Sequence, residues 1–321
     1  MKNNPILVVA GEPRSVFFEI FFKSIQTKKF RSPLILICSL DVLKLHMKEL
    51  NFKKKINLIN ISNINNIILN NQSINLVNIP YVKKPKLGKI TSKSNNYIKK
   101  SFEIALKIIK SGYSFKLING PISKKKFLKN KFLGITEYIS KKTSTKKKAM
   151  LIYNKKLSVC PITTHLPINK VAKKINKKLI IEKTILISNF YKNHLGFKPK
   201  IGITGLNPHC ESNYEKSEED KIIKPAIRYL SKKRYKISGP FPADTIFLKN
   251  NLKKFDVIIG MYHDQVLSPI KTIFEFDAIN VTLGLPFLRV SPDHGPNSSM
   301  VGKNKSNPKS LFRSIEFLEN K

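Results

Sequence analysis

The chain has 321 residues, 41% of them apolar, so a large folded core is available and a disordered chain is excluded. Its net charge is +40, yet only six of the 60 basic residues are arginine; this is the lysine excess that an AT-rich coding bias spreads over solvated faces, not the arginine-led pattern of base readers, so a nucleic-acid partner is not expected. No apolar stretch approaches the roughly 18 residues of a membrane span, Glu12, Arg14 and Glu19 interrupt the N-terminus before a signal h-region is complete, and Cys38, Cys160 and Cys210 are too scattered for a disulfide framework; a cytoplasmic protein with no membrane partner is expected.

In chain order the sequence predicts a strand at 6–10 ("ILVVA"), a helix from about Ser15, a strand at 34–38 ("LILIC") and a helix from about Asp41. An Asn-rich loop leads to a strand at 74–80, a long amphipathic helix spans 91–111, and a strand follows at 114–120 ("SFKLING"). Strands at 149–154 and 157–164 precede a helical hairpin across 169–194 and a strand at 200–208 ("KIGITGLNP"). A helix at 217–232, strands at 255–261 and 279–284 and a closing helix at 308–319 complete the chain. Strands separated by helices of this length indicate a largely parallel α/β/α arrangement. Neither GxGxxG after the first strand nor GxxxxGK[ST] is present, so the ordinary dinucleotide fingerprint and the P-loop are both missing.

Three of the six histidines, His165, His209 and His263, stand just beyond the carboxyl ends of apolar strands. In a parallel sheet those ends share one rim, where ligand sites form. A single histidine there is ordinarily a packed or capping ring; three in the same position point to divalent-metal ligation, with an open coordination place for chemistry. His46 and His194, on helical stretches, are expected to be packed. Five of the seven aspartates follow residue 243; Asp264 adjoins His263 and is placed to orient it. Asp244, in "GPFPADTIF", serves either the metal site or a helix macrodipole, and the residues leave both open. Beyond His263 come Lys271, Asn280 and Arg289; a rare arginine ending an apolar strand suggests bidentate capture of a phosphate or carboxylate, whereas Lys271 by composition is one more solvated lysine.

The segments "NGPISK", "GITEY", "TTHLP", "GLNPH", "GPFPADT", "MYHDQ", "NVTLGLPFLR" and "SPDHG", over roughly 119–295, resemble the 4-hydroxythreonine-4-phosphate dehydrogenase family of vitamin B6 biosynthesis. The resemblance implies a two-lobed α/β/α fold similar to isocitrate and isopropylmalate dehydrogenases, with the active site in the interlobe cleft. The lobes are expected at 1–125 with 267–321 (cofactor side) and 126–266 (metal and dimerisation side). It also implies that His165, His209 and His263 bind one divalent ion (zinc, cobalt or magnesium) at a site shared across a homodimer. Thr136, Lys271, Asn280 and Arg289 fall on the substrate-binding positions, and Asp293, His294 and Gly295 on the binding loop for NAD or NADP. His263, Asp264 and Asp244 are the expected catalytic group. The implied substrate is a phosphorylated hydroxy amino acid, oxidised at C3. Where the family carries "GHTE" this chain has Ile135 in "GITE", which leaves another phosphorylated hydroxy acid, such as a four-carbon sugar-acid phosphate, as the alternative substrate. The family's "GDPAGIGPE" is "GEPRSVFFE" here, which implies a differently shaped N-terminal loop.

Overall fold

A computed structural model describes residues 4–81, 94–123, 135–210 and 217–321. The expected helix start at 91 and the expected lobe boundary at 125/126 lie outside these residues. Twelve strands are described: β1 (Ile6–Val9), β2 (Leu34–Cys38), β3 (Ile56–Leu58), β4 (Ile74–Asn78), β5 (Lys116–Asn119), β6 (Ala149–Tyr153), β7 (Ser158–Pro161), β8 (Ile201–Thr204), β9 (Ile237–Phe241), β10 (Val257–Gly260), β11 (Ile279–Leu283) and β12 (Leu288–Pro292). The longer helices are α1 (Phe17–Thr27), α2 (Leu40–Glu49), α3 (Asn95–Lys110), α4 (Ile135–Lys142), α5 (Lys177–Phe190), α6 (Lys224–Lys232), α7 (His263–Phe274) and α8 (Lys309–Glu319). No described helix is long and apolar enough to cross a membrane.

The chain divides into two compact units, Met1–Thr143 with Leu285–Lys321, and Ser144–Gly284. Both divisions fall later in the chain than the sequence reading put them. The reason is packing: Ile135 and Ile139 of α4 join the core around Phe102 of α3, while α7 packs on β7 and β10 and β11 pairs with β6.

In the first unit the strand order is β3-β4-β2-β1-β5-β12, and every pairing is parallel. The central strands are continuous apolar runs because both faces are covered. Leu7 and Val9 of β1 join the cluster built with Ile98, Phe102 and Ala105 of α3, and β1 also packs against α8. On α1 Phe17 and Phe21 stack 5.8 Å apart, and Phe18 stacks on His46 of α2 at 4.6 Å. At the end of β1, Gly11 has φ +79°, and a Cβ there would come within 2.5 Å of the Pro121 carbonyl oxygen, so only glycine allows the turns after β1 and β5 to lie this close.

The second unit has the order β11-β6-β7-β10-β8-β9. β7, β10, β8 and β9 are parallel, whereas β11 with β6 and β6 with β7 are antiparallel, so the pairing is largely parallel, as expected, with an antiparallel stretch in this unit. Residues 154–157 are too few to cross over a sheet and can only turn a hairpin. The expected helical hairpin at 169–194 is instead a short turn of helix followed by α5, because Asn176 accepts a hydrogen bond from Leu179 N at 2.9 Å and restarts the helix. α7 was hidden by Pro269 inside it; its buried face, Val266, Leu267 and Ile270, covers β7 and β10.

Candidate active site

The three histidine-bearing loops leave the carboxyl ends of β7, β8 and β10, neighbouring parallel strands whose ends lie along one edge. Beyond β7 the pairing with β10 continues: Ile162 N donates to Gly260 O at 2.7 Å and Thr163 N to Met261 O at 3.1 Å. Two residues later His165 is exposed with φ +53°, and after β8 His209 is exposed with φ +57°. A left-handed conformation at a residue other than glycine is uncommon, and both histidines adopt it. His263 is the first residue of α7, after Tyr262 at the N-cap position.

The structure brings His165 and His263 together, with ring centroids 5.8 Å apart and planes at 37°. His263 Nδ1 lies 2.6 Å from Asp264 Oδ1. A carboxylate accepting from Nδ1–H assigns the proton there and leaves the Nε2 lone pair as the ligating atom, the arrangement of metal-bound imidazoles. The donor set therefore fits a divalent cation. Among the described residues no three His, Cys, Asp or Glu side chains converge within one chain. His209 stands on the same edge, beyond β8.

Asp244 is exposed, and its charge reaches the neighbour of His209: burial, joined by Glu219 and Asp244, pushes the Cys210 thiol up. Lys271 is exposed on α7, two turns beyond His263 and about 12 Å along the axis. Asn280, half-buried in β11, has an Oδ1 with no hydrogen-bond partner among the described residues. A buried amide oxygen left this way is costly, and a ligand hydroxyl or ammonium would satisfy it.

In the first unit, Arg289 of β12 is buried, donating from Nε to Asn119 Oδ1 at 2.8 Å and from Nη1 to Thr136 Oγ1 at 3.0 Å. Burial lowers the guanidinium to about 10, with the Glu137 charge opposing, so it remains a cation at neutral pH. Two bonds fix the plane of the fork, as bidentate recognition of an anion requires. Ile135 is buried in the apolar cluster with Tyr138 and Ile139. Asn119 and Glu137 were not singled out from sequence; Asn119 carried a signal, a polar residue ending the apolar strand β5.

The segment holding Asp293, His294 and Gly295 follows β12. Asp293 N donates to Ser310 Oγ at 2.9 Å, and Val16 N to Pro296 O at 3.1 Å. Further on, Ser306 N donates to the buried Glu19 Oε1 at 2.5 Å, and Lys23 Nζ reaches Asn304 O at 3.0 Å and Ser306 O at 3.1 Å. α1 thus moors this loop. An aspartate for ribose hydroxyls and an imidazole for stacking are residues that suit the adenosine part of a dinucleotide.

The sequence profile of the pyridoxal phosphate biosynthetic protein PdxA matches residues 29–318. The chain belongs to the PdxA family. Its relatives in that family include the 4-hydroxythreonine-4-phosphate dehydrogenase of Sulfurihydrogenibium sp., 35% identical over 97% of this chain and 96% of that one. The enzyme of the same name from Wigglesworthia glossinidia brevipalpis is 33% identical over 98% and 95%. The crystal structure of 4-hydroxythreonine-4-phosphate dehydrogenase from Klebsiella pneumoniae superposes with a TM-score of 0.84 at 25% identity, covering 98% of each chain. As a PdxA protein the chain is an α/β oxidoreductase of pyridoxal phosphate biosynthesis.

Proposed function

We propose that this PdxA protein catalyses the metal-dependent, NAD- or NADP-linked oxidation of 4-phosphohydroxy-L-threonine. C3 loses a hydride to the nicotinamide and its hydroxyl loses a proton, giving 2-amino-3-oxo-4-phosphooxybutanoate. This β-keto acid then loses carbon dioxide to give 3-amino-2-oxopropyl phosphate. The observation that carries the reading is the His165–His263 pair, with His263 Nδ1 held by Asp264.

In this reading His165, His209 and His263 hold one divalent ion, zinc, cobalt or magnesium, at a site shared between two copies of the chain. The ion supplies Lewis-acid polarisation of the substrate hydroxyl. Asp264 keeps the His263 tautomer and ring orientation, and Asp244 lends negative charge beside His209. Arg289, its plane set by Asn119 and Thr136, takes an anionic group of the substrate. Lys271 takes an anionic group as a point charge, and the Asn280 amide oxygen accepts from a substrate donor. Asp293, His294 and Gly295 are the cofactor contacts, on a loop ordered by Glu19 and Lys23.

Ile135 favours a second substrate within the same chemistry. Buried in an apolar cluster, it gives no hydrogen bond where the family carries histidine, which suits a substrate lacking that donor's partner, such as a four-carbon sugar-acid phosphate. The test is NADH formation from 4-phosphohydroxythreonine by chelator-stripped protein, with and without zinc, cobalt or magnesium, beside a panel of phosphorylated hydroxy acids. Metal-dependent turnover of the first substrate, abolished in His263→Ala with the fold retained, is expected. Turnover confined to another member of the panel would move the assignment to that acid. Wild-type turnover in His263→Ala would remove the metal reading.

A further inference from the structure

The histidine loops of the second unit are tied together by a hydrogen-bonded network. Thr163 Oγ1 donates to Met261 O at 2.8 Å, joining the loop of His165 to that of His263. Met261 N donates to Gln265 Oε1 at 2.6 Å, and the same oxygen accepts from Thr204 Oγ1 at 2.8 Å. Gln265 Nε2 donates to Gly205 O at 2.8 Å, so one amide spans the ends of β10 and β8. Both ends of the glutamine amide are therefore used, and its side chain serves as a cross-brace under the edge.

From the far side, Glu219 grips the next two residues of the β8 loop. It is fully buried; Oε1 accepts from Leu206 N at 2.7 Å and Asn207 N at 2.9 Å, and Oε2 accepts from Asn207 Nδ2 at 2.8 Å. Burial pushes its carboxyl up, but the hydrogen bonds from Asn207 and Leu206 outweigh that and hold it below its ordinary range, so the clamp is an anion at neutral pH. Gly205 leaves no room for slack: a Cβ there would lie 2.8 Å from Cys210 Sγ and 3.0 Å from Glu219 Oε1. Each histidine stands two residues beyond a member of this network: His165 after Thr163, His263 after Met261, His209 after Asn207. Two of the three hold positive φ, a conformation that persists where surrounding contacts over-determine the backbone.

We infer that Gln265 and Glu219 are positioning residues for the metal site, bracing three separate loops so that their imidazoles are set before an ion arrives. The inference rests on the reading of His165, His209 and His263 as metal ligands. Groups behind the ligands typically govern metal affinity by about 10- to 100-fold.

The test is a cobalt(II) titration of the metal-stripped full-length protein, followed by ligand-field absorption, with thermal melting of the metal-free protein alongside. Gln265→Leu is expected to weaken cobalt affinity by about 10- to 100-fold and to alter the absorption, while the metal-free protein still melts cooperatively. Thr204→Val, which removes one bond to the brace at constant shape, is expected to weaken binding less, and Thr204→Ser to restore it. If Gln265→Leu does not fold, the Thr204 pair decides. Wild-type affinity and spectrum in Gln265→Leu, or equal weakening in Thr204→Val and Thr204→Ser, would overturn the bracing role while cobalt binding lost in His263→Ala upholds the metal site. Failure of the wild-type protein to bind cobalt, or unchanged binding in His263→Ala, would overturn the metal reading and the brace with it.

Discussion

Arg289→Lys isolates what the guanidinium contributes beyond its charge. In the wild-type chain Nε and Nη1 are committed to Asn119 and Thr136, which sets the plane in which the side chain meets an anion. Lysine keeps a positive charge but has one nitrogen, so it cannot hold both partners and present two parallel donors. One charge-assisted hydrogen bond to the substrate is lost, ~1.5–3 kcal/mol, or roughly 10- to 100-fold in kcat/KM. The Asn119 and Thr136 oxygens also lose a donor, which lowers stability by about 1–2 kcal/mol. Initial rates of NADH formation against substrate concentration, with the metal saturating, give the first quantity, and chemical denaturation the second. A stability loss with kcat/KM within twofold of wild type would show that Arg289 only cross-links β12 to β5 and α4, and would refute its role in binding an anion.

His46 is buried against Phe18, with Nε2 2.9 Å from Pro13 O and Glu49 3.8 Å from Nδ1. Burial lowers its pKa, with the Pro13 carbonyl opposing, so the folded chain stays neutral where the unfolded chain takes up a proton. Its contribution to stability is full above about pH 6.5, the ordinary value, and is lost as pH falls below it; His46→Gln should flatten that slope in denaturation curves at pH 7.5 and 5.5. Glu19→Ala releases Ser306 N and Lys23 from the loop beyond β12, and KM for the nicotinamide cofactor should rise by roughly fivefold, equivalent to ~1 kcal/mol of lost ordering, with cobalt affinity unchanged. An unchanged cofactor KM would detach that loop from cofactor binding.

Much of this architecture was legible because it is local. Runs such as "ILVVA" and "LILIC" are apolar throughout because strands buried on both faces need no polar alternation, and the structure pairs them in parallel at the centre of the first unit. The placement of three histidines beyond strand ends was visible for the same reason: the change from apolar run to polar residue marks the strand's end whatever it pairs with. β9, in contrast, was missed because its "SGP" reads as a turn, and such a segment is tolerated only as an edge strand, a status that neighbours confer. α4, with a short apolar face, and α7, interrupted by Pro269, were missed because their helical state is decided by what their apolar faces meet: the α3 core for one, β7 and β10 for the other.

Sequence alone thus determined the fold class, the strand-end position of His165, His209 and His263, and the unusual arginine at 289, all properties of contiguous residues. Tertiary structure decided which of these act together. It joined His165 to His263, committed Arg289 to Asn119 and Thr136, buried Ile135 in the core, and placed Gln265 and Glu219 behind the histidine loops. The partners in those contacts are separated by 12 to 170 residues along the chain. A hydrogen bond depends on distance in space, and only the order and register of the strands convert the one kind of separation into the other.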